Sequence, residues 1–251
     1  MKERYYGIYA IYIYLPFSSL SRWWRRFSNR FRGKRDRFLW PTRLPGISWR
    51  RCVLSRVPRV WEHRQQNGNV RISELGILSA LAEDCEQGTN IFEIGTFDGR
   101  TTLNLALNSP PGCRVYTLDL PPGQGTRYQM EDGENYIGVD QRPGSRYEKN
   151  RSNFPGPVSK IQQLFGDSAS FDYVPFHNTC SLVFVDGSHA YDYARSDTRA
   201  AMNLLRKGGV IIWHDYGIWE GVTRALEELW KSDHYDLRNI RGTSLVYWKK
   251  T

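Results

Sequence analysis

The stretch Asn90-Ile-Phe-Glu-Ile-Gly-Thr-Phe-Asp-Gly-Arg-Thr-Thr102 limits the folds open to this chain more than any other. Ile91, Phe92 and Ile94 form a short apolar run, the pattern of a strand buried on both faces. Gly95 and Gly99 then break the run, and Leu103, Ala106 and Leu107 begin a helix behind the turn. Strand, glycine turn and helix let backbone N–H groups and a helix N-terminus approach a polar ligand, because glycine lacks the Cβ that would block it. Glu93, near the strand end, is a poor neighbour for a phosphate and a good one for a cationic ligand.

The pattern of this stretch recurs downstream. Ser73 is placed to cap a helix over Glu74–Cys85 that covers the sheet. Arg114–Leu120 reads as a second buried strand holding Asp119, and Lys160–Phe165 as a third, followed by Gly166-Asp167-Ser168. Ser181–Asp186 is a fourth strand ending in an acid. A helix from Tyr191 to Arg206 is expected to stop at Gly208-Gly209. Val210–Trp213 is the fifth strand, with His214-Asp215 at its end, and a helix follows over Glu220–Trp230. Two short strands near Tyr235–Ile240 and Thr243–Trp248, joined at Arg241-Gly242, close the chain as an antiparallel hairpin. Strands alternating with helices specify a doubly wound, mostly parallel α/β sheet. Pro121–Pro157 is rich in Gly, Pro and charge, without periodicity, and reads either as a substrate lid or as a disordered insertion.

Charge divides the chain in two. Between Arg22 and Arg64 stand fourteen Lys and Arg against two acids, Asp36 and Glu62, so the net +9 belongs to a leader and residues 65–251 are mildly acidic. We therefore read 1–64 as a basic, aromatic-rich leader and linker, and 65–251 as the catalytic domain. Tyr5–Ser21 is uncharged but short for a bilayer span, broken by Pro16, and rich in interface-seeking Tyr. Ser21–Arg32 interleaves Arg with aromatics, which suits anionic lipid headgroups, docking on its own domain, or nucleic-acid phosphates, the last being the least favoured. Cys52, Cys85, Cys113 and Cys180 are scattered, with no CxxC pair, as expected of free thiols in a reducing compartment such as the cytoplasm.

In doubly wound sheets ligands sit beyond the carboxyl ends of the strands. Four strands here end at polar groups: Glu93, Asp119, Asp186 and the pair His214-Asp215. Asp119 follows Gly95 at the spacing where a second-strand acid accepts hydrogen bonds from ribose hydroxyls, so a nucleoside ligand is expected. The turn reads E-x-G-x-x-x-G rather than GxGxxG, which disfavours a dinucleotide, since a pyrophosphate needs close glycine backbone and no nearby carboxylate.

These residues resemble the class I S-adenosylmethionine-dependent methyltransferases. Glu93–Gly99 is similar to their first motif, Asp119 to their ribose-binding acid, and Gly166-Asp167-Ser168 to their adenine-contacting segment. Val185-Asp-Gly-Ser-His-Ala-Tyr191, Gly208-Gly209 and Trp213-His-Asp215 resemble a bacterial small-molecule branch, methyltransferase family 24. The resemblance spans Ser73–Thr251 and implies a seven-stranded Rossmann-like sheet with a C-terminal antiparallel hairpin. It implies that Glu93, Gly95, Thr96 and Gly99 serve the cofactor's methionine part, Asp119 its ribose, and Asp167 with Ser168 its adenine. The implied reaction is in-line transfer of the sulfonium methyl to a small-molecule or glycan hydroxyl, with neutral His189 or His214 as base and Asp186 orienting it. Catechol-type and macrolide-sugar relatives imply Mg²⁺ on Asp186 and Asp215, although Tyr216 stands where those families often place a further acid or Asn. The implied partners are the acceptor, a membrane surface for residues 1–40, and a second copy of the chain as a homodimer. An RNA-modifying methyltransferase, a dinucleotide-dependent oxidoreductase and a non-enzymatic cofactor-binding module are the competing readings.

Overall fold

The computed structural model describes residues 40–54, 58–61, 70–132, 134, 142–232 and 235–251. The leader's Tyr-rich and Arg-rich segments lie outside the described residues. Eight strands form one sheet: β1 (Gly46–Ile47), β2 (Asn90–Ile94), β3 (Arg114–Asp119), β4 (Ile161–Phe165), β5 (Cys180–Val185), β6 (Leu205–Trp213), β7 (Arg238–Ile240) and β8 (Val246–Lys249). Their order is β1-β7-β8-β6-β5-β2-β3-β4. The pairs from β6 through β5, β2 and β3 to β4 are all parallel, whereas β8 runs antiparallel to both β6 and β7. The doubly wound α/β class and the closing hairpin are therefore as expected. The extra strand is β1, which pairs Gly46 with Asn239 and comes from a stretch read as linker because Pro45 and Gly46 hide any strand pattern.

Alternation along the strands sorts the core into two faces. Ile91, Val115, Leu182, Phe184 and Ile212 pack with Leu75, Leu78 and Leu105, on helices α1 (Ile72–Glu83) and α2 (Arg100–Asn108). Phe92, Ile94, Leu118, Val183, Val185, Ile211 and Trp213 face the other way. They pack against Ala194, Ala201, Leu204, Val222 and Leu226, on the later helices Tyr191–Leu204 and Glu220–Ser232. Between α2 and β4 the chain forms α3 (Ser145–Lys149) and α4 (Pro155–Ser159), so those two become α5 and α6.

Three local details differ from the sequence reading. Helix α1 starts at Ile72 with Arg71 as its N-cap; Ser73 lies inside it, and Glu74 accepts the Arg71 N–H at 3.3 Å. Helix α5 ends at Leu204, and β6 already begins at Leu205. Gly209 thus serves close packing and not a helix cap: a Cβ there would sit 2.9 Å from Cys180 O. Finally, much of 142–160 is packed scaffold. Tyr147, Phe154 and Val158 bury against Leu103, and Arg146 pairs with Asp98 at 2.6 Å.

Candidate active site

The carboxyl ends of β2, β3, β4, β5 and β6 open onto one cleft of about 420 Å³, within the size range of small-ligand sites. The turn after β2 forms its floor. Gly95 takes φ +98°, and a Cβ there would fall 2.1 Å from Asp186 O, so no other residue lets the two strand ends approach this closely. Phe97, at φ +49°, donates its N–H to Asp119 Oδ2 at 2.6 Å, and Leu120 N–H reaches Asp119 Oδ1 at 2.8 Å. Burial raises the Asp119 carboxyl to about 6, against the lowering effect of those N–H groups. Thr96 faces the cleft while its hydroxyl is held by Thr117 at 2.7 Å and Gln163 at 2.9 Å.

At one end of the cleft Asp167 is already engaged. Its Oδ1 accepts from Tyr193 OH at 2.9 Å and Ala169 N at 3.0 Å, and its Oδ2 accepts from Arg127 N at 2.7 Å. The last bond draws the segment after β3 over the cleft, so that Thr126, Met130 and Glu134 line it.

The other end is a chain of alternating acids and imidazoles. His189 Nδ1 lies 2.6 Å from Glu134 Oε1, and its Nε2 lies 2.8 Å from Asp215 Oδ2. Ser188 Oγ donates to Glu134 Oε2 at 2.9 Å. His214 Nδ1 lies 2.9 Å from Asp186 Oδ1 and 3.3 Å from Asp215 Oδ1, and its Nε2 faces Glu74 Oε2 at 3.3 Å. Burial alone would lower both histidines; the surrounding carboxylates outweigh it, raising His189 to about 10 and His214 well above its ordinary value. Burial likewise raises Asp186, while Asp215, despite burial, is held far below the carboxylate range by His214 and His189. Asp215 has φ +63°, a left-handed conformation that an Asp adopts at a cost and that turns its carboxylate into the cleft. Trp219 stacks on His189, with ring centroids 4.5 Å apart.

A profile for the family described as "Methyltransferase domain" matches residues 92–216, from β2 to the end of this acid–imidazole chain. By this match the chain resembles the class I S-adenosylmethionine-dependent methyltransferases. This chain is 27% identical over 205 residues to catechol O-methyltransferase B of Danio rerio, covering 78% of the chain and 65% of that protein's length. Its fold is similar to the O-methyltransferase NovP (TM-score 0.58, 17% identity, 74% of this chain and 83% of that one). It is also similar to the calicheamicin methyltransferase CalS11 (TM-score 0.52, 20% identity, 70% and 76%).

Gly95, Thr96, Asp119, Asp167, Ser168, Asp186, His189 and Asp215 all line the cleft, whereas Glu93, Gly99 and His214 do not. Glu93 shares strand parity with Ile91 and so turns toward α2, not toward the rim. Its Oε2 accepts from the hydroxyls of Thr102 and Thr117, and burial raises the group to about 8, a neutral acid at pH 7 that cannot meet a cation as expected. Gly99 caps α2 at φ +84°, where a Cβ would strike Tyr147. The imidazoles expected to be neutral bases are instead held as cations between carboxylates. The donor set for a metal also differs from the expectation. Asp186 and Asp215 converge, but the third converging atom is a His214 nitrogen. Tyr216 turns away to Glu227 and the Arg43 and Leu44 N–H groups. Two oxygens and a nitrogen do not make the all-oxygen set that Mg²⁺ prefers. Glu134, Tyr193 and Trp219 escape sequence reasoning altogether; the Tyr191–Tyr193 and Trp219 positions carried only an aromatic signal, and Glu134 none.

Proposed function

We propose that this chain transfers the methyl group of S-adenosylmethionine to a hydroxyl oxygen of a small-molecule or glycan acceptor. The observation that carries this reading is the continuity of the cleft. It runs from Asp167 and Ser168 past Asp119 and the Gly95 turn to Asp186, His189, Asp215 and Trp219, a nucleoside end joined to an acid–imidazole end. Its lining carboxylates, Asp119, Glu134, Asp167, Asp186 and Asp215, outnumber its one imidazole, which favours a sulfonium and an ammonium over a pyrophosphate. The likeness to catechol O-methyltransferase B supports oxygen as the atom methylated.

In this reading Asp119 accepts the ribose hydroxyls, the turn from Gly95 to Phe97 lies along the methionine part, and Asp167 shapes the adenine end by holding Arg127 and Tyr193. The acceptor hydroxyl approaches beside Trp219. Its oxygen attacks the methyl carbon, the C–O bond forms as the C–S bond breaks, and the sulfonium becomes a neutral thioether. The hydroxyl proton passes to Asp186, a carboxylate made more basic by burial, whose Oδ1 is turned to His214 at 2.9 Å. His214 holds Asp186, and His189 holds Asp215, as positioning residues. Most of the acceleration comes from alignment and exclusion of water, since the sulfonium is already activated. Mg²⁺ takes no step here, because the donor set is not one it prefers. Residues 1–40 are proposed to bring the enzyme to an anionic membrane surface. Among the described residues no helix is long and apolar enough to cross a membrane.

Labelled S-adenosylmethionine offered with hydroxyl, amine and carbon acceptors tests the reading. Label on catechol or sugar hydroxyls is expected; turnover confined to amines rejects oxygen transfer.

A further inference from the structure

Asp215 and Trp219, which both line the cleft, stand at the two ends of one short loop after β6, and a segment remote in sequence holds that loop from behind. Trp40 N donates to Gly217 O at 3.1 Å. Gly217, at φ +77°, is covered so closely that a Cβ there would fall 2.7 Å from Thr42 Cγ2. The next residues converge on the Tyr216 hydroxyl. It accepts from Arg43 N at 2.8 Å and Leu44 N at 2.9 Å, and it donates to Glu227 Oε1, on α6, at 3.0 Å. A phenol offers one proton and two lone pairs, so all its hydrogen-bonding positions are used. Burial keeps the proton in place by raising the group to about 12. Arg43 N also reaches Glu227 Oε1, at 2.9 Å. The Arg43 side chain is largely exposed and 3.7 Å from Glu227, so its charge adds little. The hold comes from backbone groups in a buried setting: Tyr216 is 2% exposed, and Leu44 shares its apolar cluster with Val222 and Leu226.

Trp40, Arg43, Leu44, Tyr216 and Glu227 do not line the cleft, but the loop they hold does. Asp215 keeps φ +63°, a conformation that persists in an aspartate only where its surroundings over-determine it. Tyr216 N fixes one side of the loop on Ser244 O at 3.0 Å, and Gly217 N fixes the other on Thr223 Oγ1 at 2.9 Å. Ile218 N and Trp219 N close the turn on Asp215 O. The strap 40–44 adds a further hold on Tyr216 and Gly217, the two residues that directly follow the strained one. We propose that residues 40–44, acting through the Tyr216 hydroxyl, position Asp215 and Trp219 and so help to select the acceptor. Tyr216 is then a positioning residue, and 40–44 works with the catalytic domain and not with the leader. Selection of the acceptor rests on the function proposed above; the coupling of strap and loop does not.

Hydrogen exchange on the full wild-type chain tests the coupling without any acceptor. The amides of Trp40, Leu44, Gly217 and Trp219 are expected to open as one unit, losing protection together in mild denaturant. Loop amides that exchange independently of the strap amides overturn the proposal. Tyr216→Phe keeps the ring and removes the hydroxyl. It should speed exchange at Gly217 and Trp219 and leave Phe97 and Leu120, at the nucleoside end, unchanged. With catechol as the probe acceptor, the same variant should raise KM about two- to tenfold, the usual worth of one hydrogen bond, and leave S-adenosylhomocysteine affinity as it was. In a Trp219→Ala background it should have little further effect, because it acts through that indole. Fully multiplicative effects, or an equal loss of cofactor affinity, overturn the proposal. If Tyr216→Phe does not fold, the exchange pattern of the wild-type protein decides alone. A wild-type chain that binds S-adenosylhomocysteine but leaves catechol unmethylated counts against the acceptor reading, and the exchange measurement still decides the strap.

Discussion

The rings of His189 and Trp219 lie 14° from parallel with centroids 4.5 Å apart, and both line the cleft. A cationic imidazole against an indole face gives this end of the cleft, the proposed acceptor end, a flat wall. Ile218 N and Trp219 N both donate to Asp215 O, at 3.0 and 3.2 Å, so the strained residue of the acid–imidazole chain also sets the position of the indole. Trp219→Ala should therefore act on the acceptor and spare the cofactor. The acceptor KM is expected to rise about tenfold, in keeping with one lost aromatic contact, while S-adenosylhomocysteine affinity changes little. Steady-state kinetics and calorimetry read the two effects separately; an equal loss of both contradicts this placement.

Asp119 offers both carboxylate oxygens at the β3 end, each with one backbone N–H already in place. Replacing it with Ala removes the charge-assisted hydrogen bonds proposed to hold the ribose. A loss of roughly 10- to 100-fold in S-adenosylhomocysteine affinity follows from their usual worth. Fluorescence or calorimetric titration checks it, and unchanged affinity rejects the ribose role.

Asp186→Asn removes the proposed proton acceptor but keeps the side chain's shape. The expected result is a fall in kcat of about 10²- to 10⁴-fold with cofactor affinity largely retained. A variant as fast as wild type would move the base elsewhere.

Glu93 makes stability depend on pH. Burial lifts its folded pKa to about 8, above the value of a carboxyl in the unfolded chain. Between those two values the folded state binds more protons than the unfolded one, so its contribution is fully present below the unfolded pKa and is lost as pH rises through about 8. Melting temperatures of wild type should fall from mildly acidic to mildly alkaline pH. Glu93→Gln, which mimics the neutral acid, should flatten that fall; an identical slope in both proteins contradicts the assignment.

The basic leader is tested without reference to chemistry. Flotation with vesicles containing phosphatidylserine should carry the full chain upward at low salt and release it at high salt. Removal of residues 1–39 should abolish this, and flotation that persists after the removal excludes the leader as the membrane contact.

The sheet is legible in the sequence because its inner strands are short, largely apolar runs, Ile91–Ile94 broken only by Glu93 and Leu182–Val185 unbroken, each ending at a turn. Strand-end acids are legible for the same reason: Asp119, Asp186 and Asp215 sit where a run stops. The sequence position of Glu93 is equally clear, but its direction is not. One residue of parity separates a side chain at the rim from one buried beside Thr102 and Thr117. Strand β1 leaves no pattern because two residues beside a proline carry no period. Glu134 is invisible for a different reason. It lies in an irregular segment, and only the fold brings it across to Ser188 and His189. The charge state of the histidines follows from neighbours supplied by other elements, Glu74 from α1 and Glu134 from the crossing segment, and no local spacing announces them.

The central claim is that the cleft between the Gly95 turn, Asp119 and Asp167 takes the sulfur nucleoside. Isothermal titration of S-adenosylhomocysteine into the wild-type chain, with NADH as the control, tests it most directly. The account predicts heat from one binding event per chain that Asp119→Ala weakens by roughly 10- to 100-fold, and none from NADH. A folded protein that gives heat with NADH and none with S-adenosylhomocysteine would contradict it.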